Sequence, residues 1–135
     1  MTEDATDYVR QLAWLAATPK GQDKSRREAY GDEAVQEPPG HARWLVEAAA
    51  ECGLVASNGL GATAVSWQEI HSWAAATGQR GAWLRLVIRN LSAAYVKELR
   101  AAEDPARPAP MAQKDVVEQR KGVMNQLKRF VQNRR

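Results

Sequence analysis

Apolar residues recur at helical spacing in four segments of the chain, and polar or glycine-rich stretches separate these segments. The segments occupy residues 8–15, 44–52, 67–74 and 84–99. Apolar positions that repeat every three or four residues form one face of an α-helix. The pattern therefore predicts four amphipathic helices, of which the last is the longest.

Capping and helix-stopping residues mark the ends of these helices. Ser66 and Glu69 form a capping box, in which the Ser side chain caps the helix and Glu reaches back from three residues later. Gly53 and Gly78 are predicted to end the second and third helices. The stretch Lys20–Glu37 contains almost no large apolar residue. It is predicted to be a loop with at most one helical turn.

The C-terminal part of the chain differs from the rest in charge. Residues 111–135 carry a net charge of +5, whereas residues 1–104 carry a net charge of −3. Three prolines between them interrupt any helix and favour an extended linker. Beyond the linker, an apolar stripe of Val117, Met124, Leu127 and Val131 is flanked by Arg120, Lys121, Lys128 and Arg129. This pattern predicts a basic amphipathic helix.

The predicted fold is all-α: a small helical domain with a flexible N-terminal segment and a separate C-terminal amphipathic basic helix. Twenty-four alanines support it, because alanine is the best helix former. The predicted parts are an N-terminal helix and polar loop (1–39), a helical core domain (40–103), a Pro-rich linker (104–110) and the basic helix (111–135). We expect these core side chains to pack together: Trp44, Trp67, Leu84, Val87, Ile88, Leu91 and Tyr95.

Residue content argues against several classes of chemistry. Cys52 is the only cysteine, which excludes intramolecular disulfides and cysteine-rich zinc sites. His41 and His71 are too far apart in the sequence to suggest a metal site. The Gly59–Ala64 segment matches a dinucleotide-binding fingerprint by letter but lacks the required strand, helix and acidic residue. We therefore expect no enzyme, no catalytic residues, and no metal or cofactor.

The N-terminal sequence is acidic and lacks the pattern of a signal peptide, and no uncharged run resembles a membrane span. We therefore expect a soluble, cytoplasmic protein of a reducing compartment that does not bind membranes.

DNA recognition is an alternative reading of the helices on either side of Gly78–Gly81. A helix-turn-helix would offer Arg85 and Arg89 to base edges in the major groove. Two features oppose this reading: the net acidic body repels phosphate, and the second helix devotes most of its residues to an apolar face. Sequence-specific DNA binding is therefore the weaker hypothesis.

Tryptophan is abundant in residues 40–103, where four of the five tryptophans lie. Burial in the core is the default role for such residues. Four indole rings are nevertheless a large share for so small a core, so at least one is expected to be partly exposed. An exposed aromatic side chain can anchor a partner protein. We take Trp73 and Trp83, together with the eight residues of the C-terminal stripe and its flanks, as candidate partner-binding residues.

The order of the apolar motifs resembles a known family. The motifs span Arg43–Ala48, Gly53–Val55, Val65–Trp73, Trp83–Arg85 and Arg89–Tyr95. Together they resemble the tail assembly chaperones, small proteins encoded beside the tape-measure gene of long-tailed bacteriophages. The resemblance covers about residues 41–96, under half of the chain. The loop at Ser57–Ala62 departs from the family, whose members carry Gly-Pro pairs there.

This resemblance implies a non-catalytic function in virion morphogenesis. Such chaperones coat the hydrophobic tape-measure protein, keep it soluble and help to recruit tail-tube protein in the cytoplasm of the bacterial host. Two alternatives stay open: a small nucleic-acid-binding or regulatory protein that uses the basic C-terminal arm, and a structural virion component of the tail or head-completion type. Self-association and weak, non-specific nucleic-acid binding are also left open.

Overall fold

The computed structural model describes residues 2–57, 61–111 and 127. Within these ranges, the structure contains the α-helices α1 (Thr2–Ala16), α2 (Arg26–Tyr30), α3 (Arg43–Cys52), α4 (Trp67–Thr77) and α5 (Ala82–Ala101), with a 3-10 helix at Asp32–Ala34. The short strands β1 (Ala56–Ser57) and β2 (Ala62–Thr63) pair antiparallel. The predicted all-α fold is confirmed. Among the described helices, none is long and apolar enough to cross a membrane.

Helix α5 lies at the centre of the fold and contacts α1, α3 and α4. Its Leu84, Val87, Ile88 and Leu91 are buried, as the apolar spacing predicted. Fully buried side chains from the other elements, including Leu45 of α3 and Ile70 of α4, complete the core around them. Tyr95 is only partly buried and packs against the edge of this core.

Helix α1 belongs to the same core, which corrects the expectation of a flexible N-terminal segment and of a core confined to residues 40–103. Ala5, Tyr8 and Val9 are buried with the α3 and α5 side chains. The Tyr8 hydroxyl also donates a hydrogen bond of 2.8 Å to the carbonyl oxygen of Gln36. The polar stretch after α1 separates it from the core in sequence. That separation does not prevent the apolar face of α1 from packing along α5.

The Pro-rich segment is also packed against the helices, so it is not the free extended spacer that its prolines suggested. Helix α5 does end before the first of these prolines, at Ala101. The Trp14 indole N–H then donates to the Arg107 carbonyl oxygen at 2.9 Å, and the Met111 backbone N–H donates to the Gln11 side-chain oxygen at 3.2 Å. These bonds, with an ion pair from Arg107 to Glu98, attach the segment to α1 and α5.

The predicted helix boundaries of α4 are present in detail. Ser66 accepts a hydrogen bond from the Glu69 backbone N–H at 3.2 Å. Gly78 ends the helix with φ at +74°, a left-handed conformation that glycine adopts without strain. The predicted irregular loop before α4 contains the β1–β2 pair, and the predicted polar loop contains α2 with the 3-10 helix.

Candidate functional site

Two tryptophans from different helices meet at the surface. Trp44 lies in the first turn of α3 and Trp83 in the first turn of α5. Their ring centroids are 6.0 Å apart with an interplanar angle of 38°. Trp44 remains 47% exposed and Trp83 51% exposed. The expectation that Trp44 packs inside the core is wrong, because Trp44 lies on the outward face of α3, whereas Ala42 and Leu45 on the opposite face are fully buried.

Leu86 extends the exposed apolar area along α5. It lies one helical turn after Trp83, on the same face, and is 49% exposed. A groove of about 240 Å³ runs from these residues to the N-terminal turns of α1, and it is lined by Thr2, Thr6, Trp83, Leu86, Val87, Asn90 and Leu91. We call Trp44, Trp83 and Leu86 the tryptophan surface.

Charged residues lie around the tryptophan surface. Glu47 is exposed one turn after Trp44 on α3. Three residues before Trp44, His41 contacts Asp4 of α1, with 2.6 Å between its Nε2 and the Asp4 Oδ2. Arg43 lies 3.5 Å from the carboxylate of Glu37. An apolar centre with a charged, solvent-accessible rim is the usual anatomy of a protein–protein interface.

The other predicted aromatic anchor, Trp73, lies in a different environment. It is partly buried against the core, and its indole N–H donates to a Glu51 carboxylate oxygen at 2.9 Å. Trp67, which was expected in the core, is 43% exposed and stacks on His71 with 6.2 Å between centroids. The structure therefore places only one of the two predicted anchors, Trp83, at the exposed surface.

The two arginines of the DNA-binding hypothesis are used to hold α4 against α5. The Arg89 guanidinium donates to the Val65 carbonyl oxygen and lies 5.8 Å from the Trp67 ring centroid. Arg85 Nη1 is 3.2 Å from Nδ1 of His71. Because both guanidinium groups are engaged within the fold, they are poorly placed to read bases in a major groove.

Most of the predicted C-terminal binding residues lie outside the described residues. These are Val117, Arg120, Lys121, Met124, Lys128, Arg129 and Val131. Leu127 of the predicted stripe is described, and it is 53% exposed. Its side chain is therefore about half accessible to solvent.

Two further polar side chains, Cys52 and Glu98, are held by burial or by ion pairs. Burial, and then the charges of Glu51 and Glu69, raise the pKa of Cys52 to about 11, so its thiol stays protonated and weakly nucleophilic at neutral pH. A second groove, of about 440 Å³, includes Glu98, but this carboxylate is already paired with Arg10 and Arg107. Within the described ranges, no group of three or more metal-ligating side chains comes together.

Sequence reasoning missed two of the three residues of the tryptophan surface. Leu86 carries a usable signal, because it is a large apolar residue that falls between positions 84, 87, 88 and 91 rather than on their face. Trp44 carries no such signal, since its spacing from Leu45 and Ala48 is compatible with the core face of α3.

The chain matches no protein-family model, no curated protein and no solved structure.

Proposed function

We propose that the protein is a non-enzymatic phage tail assembly chaperone or morphogenesis factor that binds the tape-measure and tail-tube proteins. The observation that carries this proposal is the pair of adjacent, half-exposed indole rings of Trp44 and Trp83. Both lie inside the segment whose motifs resemble the tail assembly chaperones. The partners are proposed from the motif resemblance. The tryptophan surface is the proposed binding site for them.

The tryptophan surface has the properties of a binding hot spot. Trp is among the residues most enriched at such sites, because its large rigid ring buries much area and loses little conformational entropy. Trp44 and Trp83 are presented by rigid helices whose other faces are buried. The surface is therefore already arranged for binding before a partner arrives, which reduces the entropic cost of association.

The groove beside Trp83 indicates the form of the partner. It runs between the N-terminal turns of α1 and the first two turns of α5 and has an apolar floor from Val87 and Leu91. A helix that places apolar residues at every third or fourth position can fill such a groove. We infer that the bound part of the tape-measure protein is an amphipathic helix. Its exposed apolar face would otherwise aggregate.

Co-expression with the tape-measure protein tests the proposal. The wild-type protein is expected to keep the tape-measure protein in the soluble fraction, and Trp44→Glu and Trp83→Glu are each expected to abolish this effect. Val55→Glu is the matched control, because Val55 is also an exposed apolar residue, at 45%, but lies outside the tryptophan surface. Equal solubilisation by all four proteins would contradict the proposal.

The charge of residues 111–135, +5, favours nucleic-acid binding as a second candidate function. Binding through contacts between Lys or Arg and phosphate weakens steeply as the salt concentration rises, because the release of condensed counterions then gains less entropy. Under the chaperone proposal, retention on DNA is weak, lost near physiological salt and independent of sequence. A sequence-specific complex that survives such salt would favour the nucleic-acid function instead. Recovery of the protein from purified virions would favour a structural virion component.

A further inference from the structure

Two apolar features of the same chain are left uncovered. One is the tryptophan surface, in which each of the three side chains is about half exposed. The other is Leu127, which is 53% exposed and belongs to the apolar stripe predicted for residues 111–135. Both features therefore keep about half of their apolar side-chain surface accessible within a single chain.

The two features are complementary in charge. Residues 111–135 carry a net charge of +5, and the part of the chain that holds the tryptophan surface, residues 1–104, carries −3. Glu47 is exposed beside Trp44, and Glu3 is exposed in the first turn of α1, next to the Thr2 end of the groove. Lys and Arg residues that flank an apolar stripe can pair with such carboxylates while the stripe contacts the apolar centre.

The C-terminal segment is also long enough for this contact. A helix rises 1.5 Å per residue, so the 24 residues that follow Met111 span about 36 Å when helical. The part of α5 that lines the groove, from Trp83 to Leu91, spans about 12 Å by the same rise. A helix from residues 112–135 can therefore lie along the whole groove beside α5.

We propose that residues 111–135 of a second copy of this chain bind the tryptophan surface, and that the exchange is reciprocal. Each copy then covers the Trp44, Trp83 and Leu86 side chains of the other with its own stripe around Leu127. A reciprocal exchange forms a closed, two-fold symmetric dimer in which the same contact occurs twice. This dimer needs no phage partner, so it can form whether or not the proposed function holds; a tape-measure helix would have to displace residues 111–135 of the second copy from the same surface.

Sedimentation equilibrium of the full chain tests the dimer. The wild-type protein is expected to show a concentration-dependent monomer–dimer equilibrium. Trp83→Ala and Leu127→Asp should each raise the dissociation constant at least about tenfold, because each removes an apolar contact that occurs twice in the dimer. Val55→Asp should leave the dissociation constant unchanged. A wild-type protein that is monomeric at every concentration would overturn the proposal, even if residues 111–135 bind the body of their own chain.

Mixing the two variants gives a sharper test. The Trp83→Ala protein keeps an intact arm, and the Leu127→Asp protein keeps an intact tryptophan surface. A mixture therefore restores one of the two contacts and should associate more strongly than either variant alone. Circular dichroism confirms that each variant is folded before mixing. Dimerisation of both variants that is as strong as that of the wild-type protein, or a mixture that associates no better than its components, would show that the copies meet through another surface.

Discussion

Arg107 donates two hydrogen bonds to Glu98, from Nε to one carboxylate oxygen at 3.2 Å and from Nη2 to the other at 2.9 Å. Glu98 is only 2% exposed, although it lies on a helix whose other charged residues face solvent or the surface. Hydrogen bonding to Glu98 raises the pKa of Arg107, so the guanidinium stays protonated. This ion pair fastens the Pro-rich segment to the end of α5.

Arg107→Ala is expected to destabilise the protein by about 2–3 kcal/mol, because it leaves the buried Glu98 carboxylate with a weaker partner. Arg10 remains 3.7 Å from Glu98. The free energy of unfolding therefore decreases less than it would if the buried Glu98 carboxylate had no cationic partner. Urea unfolding measures the effect. Arg27→Ala is the control, since it removes an exposed pair with Asp32 and should change stability by less than about 0.5 kcal/mol. Equal stability of the two variants would contradict this role for Arg107.

Ser92→Ala is expected to cost about 2–3 kcal/mol, far more than a small change on a helix usually does. The buried Ser92 hydroxyl accepts from the Val65 N–H and donates to the Leu54 carbonyl oxygen, both at 2.8 Å. Without it, both backbone groups lose their partner, and the loop before α4 keeps its bonds to Arg89 and Arg100 of α5 but loses the two made by Ser92. The Val65 amide should also exchange faster in Ser92→Ala, because its N–H no longer has the Ser92 hydroxyl as an acceptor. Ser72→Ala, on the exposed face of α4, serves as the control.

The core position Ile88 gives a third prediction. Ile88 is fully buried, so Ile88→Ala should lower the free energy of unfolding by about 2–4 kcal/mol through lost burial and a residual cavity. Leu86→Ala, on the same helix but half exposed, should cost no more than about 1 kcal/mol. Thermal or urea unfolding separates them. Similar losses for both variants would show that the orientation of α5 in the fold is different.

The raised pKa of Cys52 predicts a pH dependence of thiol reactivity. In the folded protein, alkylation by iodoacetamide should rise with a midpoint near pH 11, compared with the ordinary value of 9.0 in the unfolded chain. Because the folded pKa is the higher one, the linked stability is fully present below pH 9 and decreases as the pH rises toward 11. Equal alkylation profiles for native and urea-unfolded protein would contradict this environment for Cys52.

Local patterns predicted the helices but not the long-range polar contacts between them. Ser66, Gly53 and Gly78 mark helix ends through their own backbone chemistry, which depends on neighbouring residues alone. Glu98, by contrast, looks like an ordinary charged position of an amphipathic helix. Its burial depends on Arg107, which approaches only after the Pro-rich segment folds back along α5.

Arg26 shows the same limit of sequence patterns. Its guanidinium lies 4.6 Å from the Trp14 ring centroid and donates to the carbonyl oxygens of Trp14 and Asp104. These partners are 12 and 78 residues away in sequence, so no spacing rule connects them. The tryptophan surface was predicted only through Trp83, because whether an apolar position is covered depends on the packing of neighbouring helices.

Binding of a partner helix to the tryptophan surface can be followed through the indole N–H signals of the five tryptophans in an NMR spectrum. On addition of a soluble tape-measure segment, the Trp44 and Trp83 signals are expected to shift. The Trp14 and Trp73 signals should stay in place, because their N–H groups remain bonded to Arg107 and Glu51. A bound segment that leaves the Trp44 and Trp83 signals unchanged would contradict the account.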